Sequence, residues 1–250
     1  MPMPFPSFVA AGALATNVVD VTLPLVAPAC WRDDILIAQV INKALTVAIS
    51  PPDATWTQLY QADGDCTTAA DDHRAALYWK RASVANSGAT FNFTKASGTV
   101  LFAGVISAWR LCNPFSPLSR TAIASQVNAA ASDNITFPAF DPAEAEVHAV
   151  FFGYYGNDLT AMAAAMSADV NPDCTTRYDL ESSAGNDCTL CCTSGNNDGS
   201  NIASRTWASA STTDAGSTGI VLGLIAKPIL PNNYQSVRAD SGISVAERIR

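Results

Sequence analysis

The sequence predicts an all-β protein: a two-sheet antiparallel β-sandwich, jelly-roll-like, with at most one short helix. Three observations predict it. Short apolar and β-branched runs alternate with Gly, Asn, Asp, Ser and Pro turns along most of the chain. Apolar residues make up 48% of the 250 residues and charged ones only 14%, so a sizeable core can be filled. Nothing repeats at a fixed period, which excludes solenoids and propellers.

The strand signals run in order. "NVVDVTLPL" (17–25) and "DILIAQVINK" (34–43) are rich in β-branched and apolar residues, and "ALTVAIS" (44–50) ends at the Pro51–Pro52 breaker. "TWTQLYQ" (55–61) leads into the acidic loop "ADGDCTTAADD" (62–72). "RAALYWKRA" (74–82), "TFNFT" (90–94) and "TVLFAGVISAWRL" (99–111) follow. "NITF" (134–137), "EAEVHAVFFGYY" (144–155), "TTRYDLES" (175–182), "CTLCCTS" (188–194), "SRTWASAST" (204–212) and "GIVLGLIAK" (219–227) complete the set. One segment, "DLTAMAAAMSADV" (158–170), is helical by propensity, with Met162 and Met166 on one side. No Gly/Ser-rich or Pro-rich linker divides the chain. The expected organisation is one domain, 1–228, followed by an extended tail, 229–250. Residues 100–109 and 220–225 are apolar on both faces, so the outer face must also be covered, by a loop, a helix or a neighbouring subunit.

Charge narrows the function classes. The net charge of −8 argues against non-specific nucleic-acid binding, which needs clustered Lys and Arg; only the tail, with Arg238, Arg248 and Arg250, is locally basic. "MPMPFPSFVAAG" lacks a positive n-region, and the longest apolar runs fall far short of a membrane span, so a soluble protein without an export signal is expected. The low charged content leaves a surface of Ser, Thr, Asn, Gly and Ala, suited to packing against copies of itself.

Few residues could carry chemistry. The two histidines are His73, expected to be solvated at a loop end, and His148. Glu144, Glu146 and His148 are two apart and would share a strand face, as a divalent-metal set or, in the preferred reading, as an ordinary wet face with Ala145, Val147, Ala149 and Phe151 inward. Asp63, Asp65, Asp71 and Asp72, and separately "NNDGSN" (196–201), are oxygen-rich turns that could hold calcium; solvated turns are the plainer reading. No nucleophile–base signature stands out, and no carboxylate pair is singled out for glycoside hydrolysis.

Seven cysteines, an odd number, leave at least one thiol without an intrachain partner: Cys30, Cys66, Cys112, Cys174, Cys188, Cys191 and Cys192. "CTLCC" has CxxC spacing, yet no Gly to turn it onto a metal. On a strand, Cys188, Leu190 and Cys192 face one way and Cys191 the other, which divides the pair. Buried thiols packing as small apolar groups are the preferred reading. A Cys174–Cys192 disulfide across a hairpin around 184–185, and a zinc site from Cys174, Cys188, Cys191 and Cys192, are the alternatives.

Several motifs carry a resemblance. "DDILIAQVINKA", "ISPPDATWTQLYQ", "RAALYWKRA" and "SGTVLFAGVISAWRL", then "TTRYDLESS" and "SRTWASASTTDAGSTGIVLGLIAKP", resemble β-sandwich proteins encoded by tailed phages and prophages, over residues 17–228. The resemblance implies a jelly-roll-like fold and a virion context, assembled in the host cytoplasm. The expected function is non-enzymatic: a capsid decoration protein (cement or head-fibre base). Its expected partners are copies of itself, a trimer for instance, and the major capsid or other virion proteins, with no cofactor, no nucleic acid and no membrane. A tail-associated receptor- or glycan-binding protein is the first alternative, with Trp56, Tyr60, Asp63 and Asp65 as ligand candidates unless Trp56 fills the core. A polysaccharide-cleaving enzyme is the second.

Overall fold

The computed structural model describes residues 4–113, 116–119, 123–132, 134–157, 172–182, 188–208 and 215–228. The segment 158–170, expected to be helical, the turn at 184–185 and the tail 229–250 lie outside them. The protein is an all-β sandwich of antiparallel sheets. The first half of the chain supplies β1 (Ser7–Ala11), β2 (Ala15–Asn17), β3 (Thr22–Val26), β4 (Ile35–Asn42), β5 (Ile49–Ser50), β6 (Thr57–Gly64), β7 (His73–Arg81), β8 (Thr90–Lys95) and β9 (Phe102–Arg110). The second half supplies β10 (Ala124–Ser132), β11 (Asn134–Phe137), β12 (Val147–Tyr155), β13 (Thr175–Ser182), β14 (Cys188–Asn197), β15 (Arg205–Ala208) and β16 (Ala215–Ile225).

Each half builds its own sheets, instead of the two halves contributing strands to shared ones. The first half forms a main sheet in the order β1-β9-β4-β7-β6, with β2 also on β9, and a small sheet β3-β8-β5. The second forms β10-β16-β12-β14-β13 and the small sheet β11-β15. The two main sheets face each other. Ile37, Leu77, Val105 and Trp109 meet Val150, Phe152, Leu190, Cys192 and Ile220 in the central core. Each small sheet covers the outer face of its own main sheet. Leu23, Leu25, Phe91 and Phe93 pack on Leu36, Ala38, Tyr78 and Ile106, and Ile135, Phe137 and Trp207 pack on Ala149, Phe151, Cys191 and Val221. This layering explains the two-sided apolarity of β9 and β16: the cover comes from the chain itself, not from a neighbouring subunit.

The halves share one plan. β6-β7-β4-β9 corresponds to β13-β14-β12-β16, β1 and β2 to β10, and β3-β8 to β11-β15. The details match as well. Both outer strands carry an irregularity just before a tyrosine: Tyr60 pairs with Leu77 after a register shift at Leu59, and Tyr178 with Cys192 after one at Arg177. Asn17 and Asn128 sit opposite Phe102 and Ser217, each two residues before a glycine, Gly104 and Gly219. Each asparagine Nδ2 donates to the covering strand, at Thr22 O (2.8 Å) and Thr136 O (3.3 Å). The covering strands read "TLPLVAP" (22–28) and "TFPAFDP" (136–142), and their partners continue as "TKAS" and "TWAS". The spacing between matching residues drifts along the chain, so the doubling has no fixed period.

Polar bonds join the main sheets. Gln39, fully buried in β4, donates to Gly153 O (2.7 Å) and accepts from the Tyr178 hydroxyl (2.8 Å). The Tyr154 hydroxyl donates to Ala76 O (2.8 Å). In the low-dielectric core each such bond has to be made, because an unpaired polar group there is costly.

Candidate functional site

One end of the sandwich holds a buried polar cluster. β4 ends at Asn42, which places Lys43 beneath the loop that joins β6 to β7. Its Nζ donates to Ala70 O and Gly156 O, and burial lowers its pKa. His73 begins β7 with no exposed surface, so the expected solvated histidine is corrected. The loop that carries it folds back under the second main sheet. Its Nδ1 donates to Asp71 O (2.9 Å), which leaves Nε2 to accept from the Thr218 hydroxyl (2.9 Å). Burial pulls its pKa down to about 4. The Cys66 sulfur lies 4.0 Å from His73 Nδ1, at the outer limit of a sulfur hydrogen bond. That nitrogen's proton is committed to a carbonyl, and burial, then Asp72 and Asp71, pushes the thiol up to about 11. The cluster therefore locks two sheets together rather than activating sulfur.

The acidic loop does not gather around a cation. Asp63 pairs with Arg74 (2.6 Å) and caps the Thr46 amide. Asp72 accepts from the Cys66 amide and Asp71 from the Gly216 amide. In the other oxygen-rich turn, Asn197 and Asp198 accept from the amides of Gly199 and Ser200. Trp56 is in the core against Phe91 and Phe93, 5.2 and 5.3 Å between ring centres, and Tyr60 is half-buried.

His148 is also corrected. All nine residues of β12 are buried, because one face meets the central core and the other the β11-β15 cover. His148 donates through Nδ1 to Asn196 Oδ1 (2.7 Å) and accepts at Nε2 from Ser194 Oγ (2.9 Å), beside the Trp109 ring. Burial lowers its pKa to about 4. Glu144 and Glu146 precede the strand, and Glu144 Oε2 accepts from Ser119 Oγ (2.5 Å). Among the described residues, no group of three or more His, Cys, Asp or Glu side chains is placed to hold a metal ion.

The cysteine-rich stretch is β14, as its strand-forming residues imply. Cys188 and Cys192 enter the central core and Cys191 the outer one, where Gly153 opposite leaves room for its sulfur. None of the seven cysteines is joined in a disulfide. The Cys174–Cys192 bridge is not formed: Cys174 lies just before β13, whose first residue Thr175 already pairs with Ser194, and Cys192 stands opposite Tyr178. Cys174 packs instead against the outer core, with its sulfur by Pro172 O and Arg205. Burial raises the pKa of Cys191 and Cys192, and pushes Cys174 up to about 11.

The opposite end of the sandwich carries an exposed feature that reading the sequence missed. Asp34, buried just before β4, grips Arg110 at the end of β9 with both oxygens (3.0 and 2.8 Å) and accepts from the Trp31 amide (2.7 Å). The Arg110 guanidinium lies 3.8 Å from the centre of the Trp31 ring. The indole is nonetheless 69% exposed. Two non-glycine residues with left-handed backbone flank it, Asp33 (φ 71°) and Leu111 (φ 62°). Such strain persists only where surrounding structure imposes it and is concentrated at functional sites. Here the Asp33 amide is tied to Ala82 O, and Leu111 O accepts from the Lys227 amide. The signal in the sequence was "WRDD", an aromatic, a cation and two carboxylates at the mouth of a strand. Among the described residues, this end places an exposed aromatic ring beside charged side chains. No family model, no curated protein and no solved structure matches this chain.

Proposed function

We propose that the chain is a non-enzymatic structural protein of a tailed-phage virion, a decoration (cement or head-fibre base) protein that works as a homo-oligomer on the capsid. One observation carries the non-enzymatic part. The groups that would be poised for acid–base or nucleophilic work, His73, His148 and Cys66, are buried, fully hydrogen-bonded and held neutral. Such a body acts through its surface. The phage context rests on the resemblance of the quoted motifs to phage β-sandwich proteins. A charge-poor surface favours assembly by shape, and the tail 229–250 follows directly on Pro228, at the exposed end, as an arm toward a neighbour or the shell.

Immunogold labelling of virions tests the placement. Label over the head supports a decoration protein; label confined to the tail tip refutes it and favours the second reading, a receptor- or glycan-binding tail protein, to which the exposed Trp31 lends weight. Light scattering reads the oligomer, and a purely monomeric protein defeats the self-assembly part. Deleting 229–250 should abolish capsid occupancy; full occupancy without it removes the arm.

A further inference from the structure

We infer that the cleft beside Trp31 binds an acidic sugar, a carboxylate-bearing ring within a longer saccharide, stacked on the free face of the indole. This goes beyond the structural role proposed above and does not depend on where on the particle the protein sits. The platform is rigid before any ligand arrives. Arg110 covers one face of the indole and is held by two bonds to buried Asp34, which also binds the Trp31 amide. An aromatic ring ordered in advance loses little entropy on stacking.

The polar groups around the ring set the ligand class. Arg110 and Asp34 satisfy each other. Exposed Arg32 and Lys227 remain as donors, and Asp33 as the acceptor. A hydroxyl-rich ring needs both kinds beside its stacked face. Arg81 joins Arg32 and Asp33 in the adjoining hollow. Three exposed cations against one exposed carboxylate, in a chain of net charge −8, favour a ligand that is itself anionic. The Asp33 carboxylate disfavours a polyphosphate backbone, which has no donor to offer it, whereas a sugar hydroxyl does.

Size argues for one ring of a chain. The cleft holds about 220 Å³, below the range of roughly 300–1,000 Å³ usual for enclosed small-molecule sites. It continues across Arg32 and Asp33 into the second hollow, of about 460 Å³, reaching Ser83 and Val84. A neighbouring sugar would lie there.

Titration calorimetry of the full-length protein with trigalacturonate and 3′-sialyllactose tests this, the two probes distinguishing a uronate from a sialate source. Saturable binding of either is expected, weakened at least tenfold by Trp31→Ala, at least tenfold by the double variant Arg32→Ala/Lys227→Ala, and much less by Trp31→Phe. Trp31 is mostly exposed, so the single variant should melt as the wild type does, and a thermal melt checks it. The inference is overturned if neither probe binds in the millimolar range, if Trp31→Ala binds as the wild type does, if the carboxyl-reduced sugars bind equally well, or if a decathymidylate competes as strongly. Immunogold reads the virion placement separately, so either result can fail without the other.

Discussion

The two halves of this molecule follow one plan with different chemistry in equivalent places. Where the first half has Gln39 at the centre of its main sheet, the second has Phe152, since Leu77–Gln39–Val105 and Cys192–Phe152–Ile220 are matching rows. Where the first has Arg110 at the end of β9, the second has Ile225 at the end of β16. Gln39 and the Trp31–Arg110 stack both belong to the first half, while the second half supplies the Tyr178 hydroxyl that meets Gln39 and the Lys227 that borders the stack. The difference teaches that the strand plan is held by a few shared devices, two asparagines, two glycines and two register shifts, while the residues between them are free to diverge.

The largest test concerns acid. A folded imidazole that titrates at about 4 instead of 6.5 stays neutral where the unfolded chain takes up a proton. The unfolded state therefore binds more protons between these values, and stability falls as pH drops from 6.5 to 4. Each histidine accounts for about 3 kcal/mol, fully lost below pH 4. Urea melts at pH 7 and pH 4 should show this, and His73→Gln and His148→Gln should each remove about half of the difference. If one variant removes it all, the halves are unequal in a way their geometry does not show.

Next come the central residues. Phe152→Ala should cost about 3–5 kcal/mol through the cavity it leaves. Gln39→Leu should cost about 1–3 kcal/mol, because Gly153 O and the Tyr178 hydroxyl lose their partner. Chemical denaturation of both variants measures the contrast between an apolar and a polar centre.

The glycines come third. A methyl at Gly219 would collide with the Thr136 carbonyl of the covering strand, whereas at Gly104 it meets Gln39 O at 3.0 Å and two leucine methyls at 3.1 and 3.2 Å that can shift. Gly219→Ala should cost about 2–3 kcal/mol and Gly104→Ala about 1 kcal/mol. Equal costs would mean that both covers yield alike. The smallest effects should come from the asparagines, with Asn17→Ala and Asn128→Ala each costing about 1 kcal/mol. A thermal shift in only one of the pair would break the equivalence.

Much of the framework was legible in the sequence. Strand existence followed from β-branched and apolar runs, and the splitting of "CTLCC" across two faces followed from the two-residue period alone. Two-sided apolarity in β9 and β16 signalled a cover, but periodicity carries no information on whether the cover is the same chain. β10 went unread because "ASQVNAAAS" is built from residues of low strand propensity, and its pairing with β16 decides its state. "ALTVAIS" was the opposite case: only Ile49–Ser50 forms a strand, and Thr46 turns left-handed (φ 61°). The two histidines read as polar surface, since local sequence does not reveal a loop folding under another sheet. The Trp31 platform depends on Arg110, far away in sequence, and so had no local signature beyond four residues.

Because no main-sheet strand crosses between halves, the order of synthesis matters. Every strand partner of β1 to β9 has emerged once residue 110 has left the ribosome tunnel. By then every strand of the first main sheet and of its β3-β8-β5 cover has been made, and the face that carries Ile37, Leu77 and Val105 still lacks its partner sheet. At about 5–20 residues per second, the rest of the chain takes many seconds to arrive. During that time the bare face is an adhesive surface on every polysome. It is shaped to receive a sheet of this same plan, including the one on a neighbouring nascent chain.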